Sequence, residues 1–222
     1  GVLRRLAGKA ACKVFSDGIR DGCGRFQFAV GRKAGCELVH KTLAALTEAS
    51  PQGVVLAFDC TNAFNTIPRQ RVVDSVARRA PDLLQTVRSW LCVTTTHLFW
   101  NDSNDAAPVR ATSGVDQGCP LSPALFAIAI ADALDEIHSA LQQLSPTCRV
   151  FSYLDDVMFF VPPEHATAAN ARVVETLTEL GLVVNESKTQ AWTKDGAAAL
   201  PPALAGHRVP YLKCLGNAAP WL

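Results

Sequence analysis

The sequence predicts an α+β fold, a ferredoxin-like antiparallel sheet carrying helices on one face. Two observations predict it. From residue 53 onward the apolar pattern runs β-α-(hairpin)-α-β-β-α-β, which is the ferredoxin-like order once the hairpin is taken as an insertion. The strands in that order are short apolar runs between turn residues, whereas the helical stretches repeat their apolar residues at helical spacing. With 222 residues, 49% of them apolar, the chain can bury a good core as one domain, or as one domain with a small lobe.

Each element has its own signal. Residues 3–14 read as a basic helix, and Cys36 to Ala49 as a second, with Leu38, Val39, Thr42, Leu43 and Leu46 on one face. Gly53-Val54-Val55-Leu56-Ala57-Phe58 is an apolar run ending at Asp59, the pattern of a buried central strand. Pro68 opens a helix with Val72, Val73, Val76 and Ala77 on its inner face, restarted at Pro81-Asp82 with Leu83, Leu84, Val87 and Leu91. Thr94 to Trp100, the polar turn Asn101 to Asp105 and Pro108 to Thr112 predict the hairpin. Ser122-Pro123 reads as an N-cap and first turn for a long apolar helix to about Leu141. His165 to Leu180 is an amphipathic helix stopped by Gly181. Leu182-Val183-Val184 and Thr189 to Trp192 then read as strand, and an Ala-Pro-rich linker character is confined to Gly196 to Gly206.

Charge is neutral overall but uneven. The net charge is +1, yet residues 1–41 hold nine Lys or Arg against Asp17, Asp21 and Glu37, leaving +6 there and −5 over the remainder. A basic lobe beside an acidic one suits a polyanion track next to a carboxylate metal site, and equally a solvated charged face. The eight cysteines show no Cys-x-x-Cys pair and no histidine at zinc spacing, so they read as small core residues of a reducing compartment. The longest apolar run, Leu121 to Leu134, is too short to span a bilayer and carries Asp132. A soluble, intracellular protein with no membrane partner is expected, nuclear or cytoplasmic being open. Met158 is the only methionine, so the sequence reads as part of a longer polypeptide or a processed product.

The chemistry centres on Tyr153-Leu154-Asp155-Asp156. The apolar runs 149–152 and 157–161 flank the two acids, so the stretch reads as strand, tight turn and returning strand with carboxylates at the tip. Two like charges among apolar flanks are costly unless a cation neutralises them, although an Asp-Asp pair is also ordinary turn chemistry. Asp59 ends the central strand, which a sheet of this order can set beside the hairpin tip. Three carboxylates at one sheet edge, completed by waters and substrate phosphates, can hold Mg²⁺. Two such ions can serve in-line phosphoryl transfer.

Four motifs, in this order, resemble those of reverse transcriptases of the non-LTR (LINE-like) retrotransposon type. They are Phe58-Asp59-x-x-x-Ala63-Phe64, Gln117-Gly118-Cys119-Pro120-Leu121-Ser122-Pro123, the Tyr-x-Asp-Asp stretch 153–156, and Gly181-Leu182-Val183-Val184-Asn185-x-x-Lys188-Thr189. The resemblance covers roughly residues 3–216. It implies a polymerase palm over residues 53–200, partial and mostly helical fingers over 1–52, and a primer-grip hairpin with a truncated end over 201–222, the thumb being absent. It implies that Asp59, Asp155 and Asp156 bind two Mg²⁺ ions, with Mn²⁺ as a substitute. It further implies that Lys188 assists the leaving pyrophosphate, and that Phe64 lies under the sugar as a steric gate favouring deoxynucleotides. Gln117, Gly118 and Tyr153 would contact nucleotide or template, Arg32 or Lys33 the triphosphate or template backbone, and Arg4, Arg5 and Lys9 template phosphates.

Two departures stand out. Asp116 occupies a place where Arg or Pro is commoner, and Ala29 replaces the glycine of a Gln-Phe-Gly element that Gln27-Phe28 resembles. The implied activity is addition of dNTPs to a DNA primer on an RNA template. A catalytically inactive nucleic-acid-binding remnant is the alternative from a different class. An RNA-dependent RNA polymerase is a third reading, disfavoured by Phe64 and Leu154.

Overall fold

The chain enters its central sheet only after three helices, α1 (Val2–Val14), α2 (Ser16–Gly22) and α3 (Gly35–Ala49). Strand β1 (Val54–Phe58) leads to a short helical turn, α4 (Ala63–Thr66), then α5 (Arg69–Arg79) and α6 (Leu84–Leu91). A hairpin of β2 (Thr95–Trp100) and β3 (Ala106–Ala111) precedes the long helix α7 (Ser122–Leu144). After it come β4 (Arg149–Tyr153), β5 (Asp156–Val161), α8 (Ala166–Glu179) and β6 (Gln190–Thr193), followed by a small hairpin, β7 (Lys213–Cys214) and β8 (Asn217–Ala218). The structure is a computed structural model that describes residues 2–93, 95–215 and 217–218. Thr94 at the start of the expected hairpin and Gly216 at the end of the expected primer grip lie outside the described residues.

The sheet has the order β4-β5-β1-β6 with antiparallel neighbours throughout, the ferredoxin-like arrangement the sequence predicts. All five residues of β1 are buried. An alternating pattern is absent because both faces are covered, which is why Val-Val-Leu-Ala-Phe reads as an unbroken apolar run. On one face Val54, Leu56 and Phe58 join Val157, Phe159 and Val161 beneath α5, α7 and α8. On the other, Val55, Ala57, Met158, Phe160 and Trp192 pack against Val39 and Leu43 of α3 and against Leu212. The expectation of helices on one face therefore holds for α5, α7 and α8, while α3 covers the opposite side.

Several local readings are corrected. Helix α7 begins at Ser122 itself, with Leu121 at the cap position, no side-chain cap bond, and Ser122 buried. Leu182–Val184 is not a strand. It makes one bridge, Cys60 with Val184, and the Thr61 amide donates to Val183 O at 2.8 Å. The turn after α8 forms as expected, Gly181 taking φ +93, where a Cβ would also meet the Pro68 ring. Helices α2 and α4 carry too few periodic apolar residues to be seen in the sequence. Part of the expected linker is packed, since a 3₁₀ helix at Pro202–His207 buries Leu204 completely. The described thiols are free, with Cys23, Cys60, Cys119 and Cys148 buried as expected. Among the described residues no helix is long and apolar enough to cross a membrane.

Asp132, the acid inside the apolar α7 run, has a structural purpose. It accepts from Arg78 and Arg79 of α5, both at 2.6 Å, and Arg79 also bonds Asp135. Burial pushes the Asp132 carboxyl up, but the two arginines outweigh it and leave it below the usual carboxylate range. A group depressed in the folded state stabilises above its unfolded pKa and loses that contribution as pH falls through its folded value. Asp132→Asn is expected to cost about 1 kcal/mol near neutral pH, the partly exposed network being screened by solvent. The difference from wild type should vanish in denaturation curves taken well below pH ~4.

Candidate active site

Register brings the acids together. Val54 pairs with Val161 and Phe58 with Val157, so one more step along β1 sets Asp59 opposite Asp156. Tyr153 pairs with Asp156, which leaves Leu154 and Asp155 as a two-residue turn at the same sheet edge. Leu154 takes φ +58, at the first central position of the turn, where glycine is the usual occupant. The turn is held from outside the hairpin by the segment Phe26–Phe28. Its backbone pairs with the free edge of β4, Phe28 N donating to Ser152 O and Ser152 N to Phe26 O, each at 2.8 Å.

The carboxylates feel one another. Burial raises the Asp155 pKa above its ordinary value and the charge on Asp59 adds to this, while a backbone hydrogen bond and Lys188 oppose it. Burial against the cavity wall, then the charges of Asp155 and Asp59, raise Asp156, although its side chain still reaches solvent. The neighbouring Cys60 thiol is pushed up to about 12, first by burial and then by Asp59 and Asp155. Lys188 Nζ lies 3.2 Å from Asp59 Oδ2 and brings a cation to the cluster. Among the described residues no three His, Cys, Asp or Glu side chains form a ready-made metal cluster. Mg²⁺ does not require one, because it keeps several waters and takes one or two carboxylates plus substrate phosphates. The local excess of negative charge fits a divalent cation.

Two cavities flank the aspartates. One, of about 490 Å³, is lined by Asp155 with Phe64, Gln117, Gly118, Pro120 and Pro123. The other, of about 900 Å³, is lined by Asp59 and Asp156 with Lys188, Arg208 and Tyr211. The sequence-predicted residues Phe64, Gln117 and Gly118 are thus brought to one side of the acids, and Lys188 to the other. Phe64 stacks on the buried Phe126 ring at 4.6 Å and 12° while lining the first cavity, so it serves the core and the cavity at once. Its backbone also fixes the loop that carries Gln117, since Val115 N donates to Phe64 O at 2.7 Å. Gly118 takes φ +85 with no protein atom near its missing Cβ, so its backbone faces open space.

The other singled-out residues have these surroundings. Asp116 lines neither cavity beside the acids and is bound by Arg4 Nη1 at 2.7 Å with His97 Nε2 at 3.7 Å. Arg4 also lies over the Trp90 ring, so it ties α1 to α6 and to the loop. Arg32 donates to the carbonyls of Gln27 and Arg25 and covers the Phe28 ring. It braces the Phe26–Phe28 segment, while Lys33 is exposed beside it. Tyr153 is half-buried at the end of β4. The segment expected as a primer grip forms a small hairpin, β7 and β8, with Leu215 in the left-handed region, Tyr211 exposed and Leu212 buried. Reading the sequence gave no role to Ser152 or to the Gln27 side chain, both fully buried. The available signal is a serine in an apolar strand, three residues before the first acid.

Comparison with known proteins bears on the fold and on the family. The chain is 32% identical over 141 residues to the Retrotransposable element SLACS 132 kDa protein of Trypanosoma brucei gambiense, a match covering 63% of this chain and 12% of that protein. It thus spans only about an eighth of that relative's length. Telomerase from Candida albicans, solved in complex with a TWJ fragment of telomeric RNA, superposes with a TM-score of 0.66 at 11% identity, covering 97% of this chain and 37% of that one. Apo telomerase from Candida tropicalis gives a TM-score of 0.62 at 13% identity, over 89% of this chain and 37% of that one. Both likenesses support the fold. The family model described as Reverse transcriptase (RNA-dependent DNA polymerase) matches residues 7–216, nearly the whole chain, and the chain therefore belongs to that family.

Proposed function

We propose that this chain is the catalytic core of an RNA-directed DNA polymerase of the non-LTR retrotransposon type, with residues 1–52 serving as fingers, 53–200 as palm and 201–222 as primer grip. The carrying observation is that Asp59 and Asp156 face one cavity while Asp155 faces the other. A reaction joining two substrates needs that division, with a primer terminus on the Tyr211 side and an incoming dNTP on the Phe64 side. Asp59, Asp155 and, less directly, Asp156 would hold two Mg²⁺ ions, or Mn²⁺ in their place. When bound, the ions activate the primer 3′-hydroxyl and offset charge on the phosphates.

The protein's own groups do the positioning. Phe64 offers a flat ring below the sugar, where a 2′-hydroxyl would collide with it. Gln117 and the open backbone at Gly118 meet the nucleotide and the template base. Lys188 supplies a cation beside Asp59 on the primer side of the acids, where it offsets their charge and could reach a pyrophosphate leaving from the Phe64 side only by swinging across them, with Lys33 and Arg32 on the finger side. No covalent intermediate is needed, so the gain comes from orientation and charge neutralisation.

The test is primer extension by this chain and by the longer polypeptide that contains it. RNA and DNA templates are each offered with dNTPs or NTPs, in Mg²⁺ or in EDTA. Mg²⁺-dependent extension of a DNA primer on RNA with dNTPs is expected. Template binding without extension by either protein would assign a non-catalytic role, and equal use of NTPs would assign RNA synthesis.

A further inference from the structure

The left-handed conformation of Leu154 requires support, because a Cβ there crowds the following carbonyl. The support comes from a residue 127 positions away in the chain. Gln27 is fully buried, and its carboxamide Oε1 accepts from the Leu154 amide at 2.9 Å and from the Ala29 amide at 3.0 Å. Its Nε2 donates to Ser152 Oγ at 3.1 Å, and that hydroxyl donates to Leu154 O at 3.0 Å. Both backbone polar groups of Leu154 are therefore satisfied through Gln27, one directly and one through Ser152. The next two residues are Asp155 and Asp156.

We propose that Gln27 is the positioning residue of the acidic hairpin. Its carboxamide locks Leu154 in the left-handed conformation and so fixes the direction in which Asp155 and Asp156 leave the turn. The inference deepens the polymerase reading and rests on it. Gln27 lies between α2 and α3, in the segment that pairs with the edge of β4, so that segment and the acidic turn are one hydrogen-bonded unit. Arg32 steadies that unit by holding the Gln27 carbonyl at 3.1 Å. Buried polar groups whose partners are all supplied hold a single arrangement, and losing one member leaves the others unpaired.

A merely structural glutamine would affect stability alone. A positioning glutamine also affects how tightly the acids bind a cation, by ~10-fold or more, as outer partners of metal ligands commonly do. The test uses this chain with Mn²⁺ as the probe, its binding followed by electron paramagnetic resonance alongside thermal unfolding. Gln27→Ala is expected to weaken Mn²⁺ binding by ~10-fold or more and to lower the melting temperature. Ser152→Ala, a smaller lesion that keeps the backbone ladder, should shift Mn²⁺ binding in the same direction.

The deciding variant adds Leu154→Gly to Gln27→Ala. Glycine takes positive φ freely, so the double variant should regain much of the lost Mn²⁺ affinity while the melting temperature stays low. Wild-type Mn²⁺ affinity in folded Gln27→Ala and Ser152→Ala would overturn the proposal, as would a Leu154→Gly effect independent of residue 27. Absence of Mn²⁺ binding by the wild-type chain would instead overturn the metal-dependent reading of the site, and this inference with it.

Discussion

Asp155→Asn is expected to reduce Mg²⁺-dependent primer extension by on the order of 10³-fold or more, equivalent to ~4 kcal/mol of transition-state stabilisation. The substitution keeps the shape of the side chain and removes only the charge. In the ion-free protein that charge is unfavourable, since burial and then Asp59 raise the Asp155 pKa. The asparagine variant should accordingly melt no lower than wild type in EDTA. Adding Mg²⁺ should raise the melting temperature of the wild type and do much less for the variant, because only a ligand that binds the folded state stabilises it. Loss of activity together with loss of fold would mean that Asp155 is a packing element, and extension at the wild-type rate would remove it from the mechanism. Asp156→Asn should show a smaller loss, because its side chain still reaches solvent and its contribution is less direct.

The sequence carried the sheet well because its strands are unusual. β1 is buried on both faces, so its apolar run has no alternation to blur, and the acids 155 and 156 mark the turn between β4 and β5. The order of elements then fixes the neighbours, and register delivers Asp59 to Asp156 without further information. Contacts between distant segments were not legible. Nothing local tells that Arg4 binds Asp116, or that Gln27 reaches Leu154. Both are single polar pairs between segments far apart in the chain, and periodicity carries no trace of them. Element ends depart from the sequence pattern where tertiary contacts replace local chemistry. Ser122 looks like a cap but is buried inside the first turn, and Val183 offers its carbonyl to Thr61 where a strand was expected.

Phe64→Val is expected to relax sugar selection, raising incorporation of ribonucleotides relative to deoxynucleotides by ~10-fold or more, a difference of ~1.4 kcal/mol between the two transition states. The ring lines the cavity that Asp155 shares with Gln117 and Gly118, so shortening it opens space beside Asp155, where the proposed function places the nucleotide. The same ring stacks on Phe126 at 4.6 Å, and its loss should also destabilise the fold by about 1–3 kcal/mol. The two effects must be separated, and Phe64→Leu separates them. Leucine loses the aromatic stack, as valine does, yet keeps more bulk reaching into the cavity. If Phe64 is a gate, both variants melt below wild type but only valine admits ribonucleotides readily. If the ring matters only to the core, discrimination follows stability in both variants, or stays unchanged in both. The measurement is single-nucleotide extension with matched dNTP and NTP, taken as a ratio of kcat/KM values so that a general loss of activity cancels. An unchanged ratio in a folded Phe64→Val protein would leave the Phe64–Phe126 stack as a packing contact and place sugar selection elsewhere in the cavity.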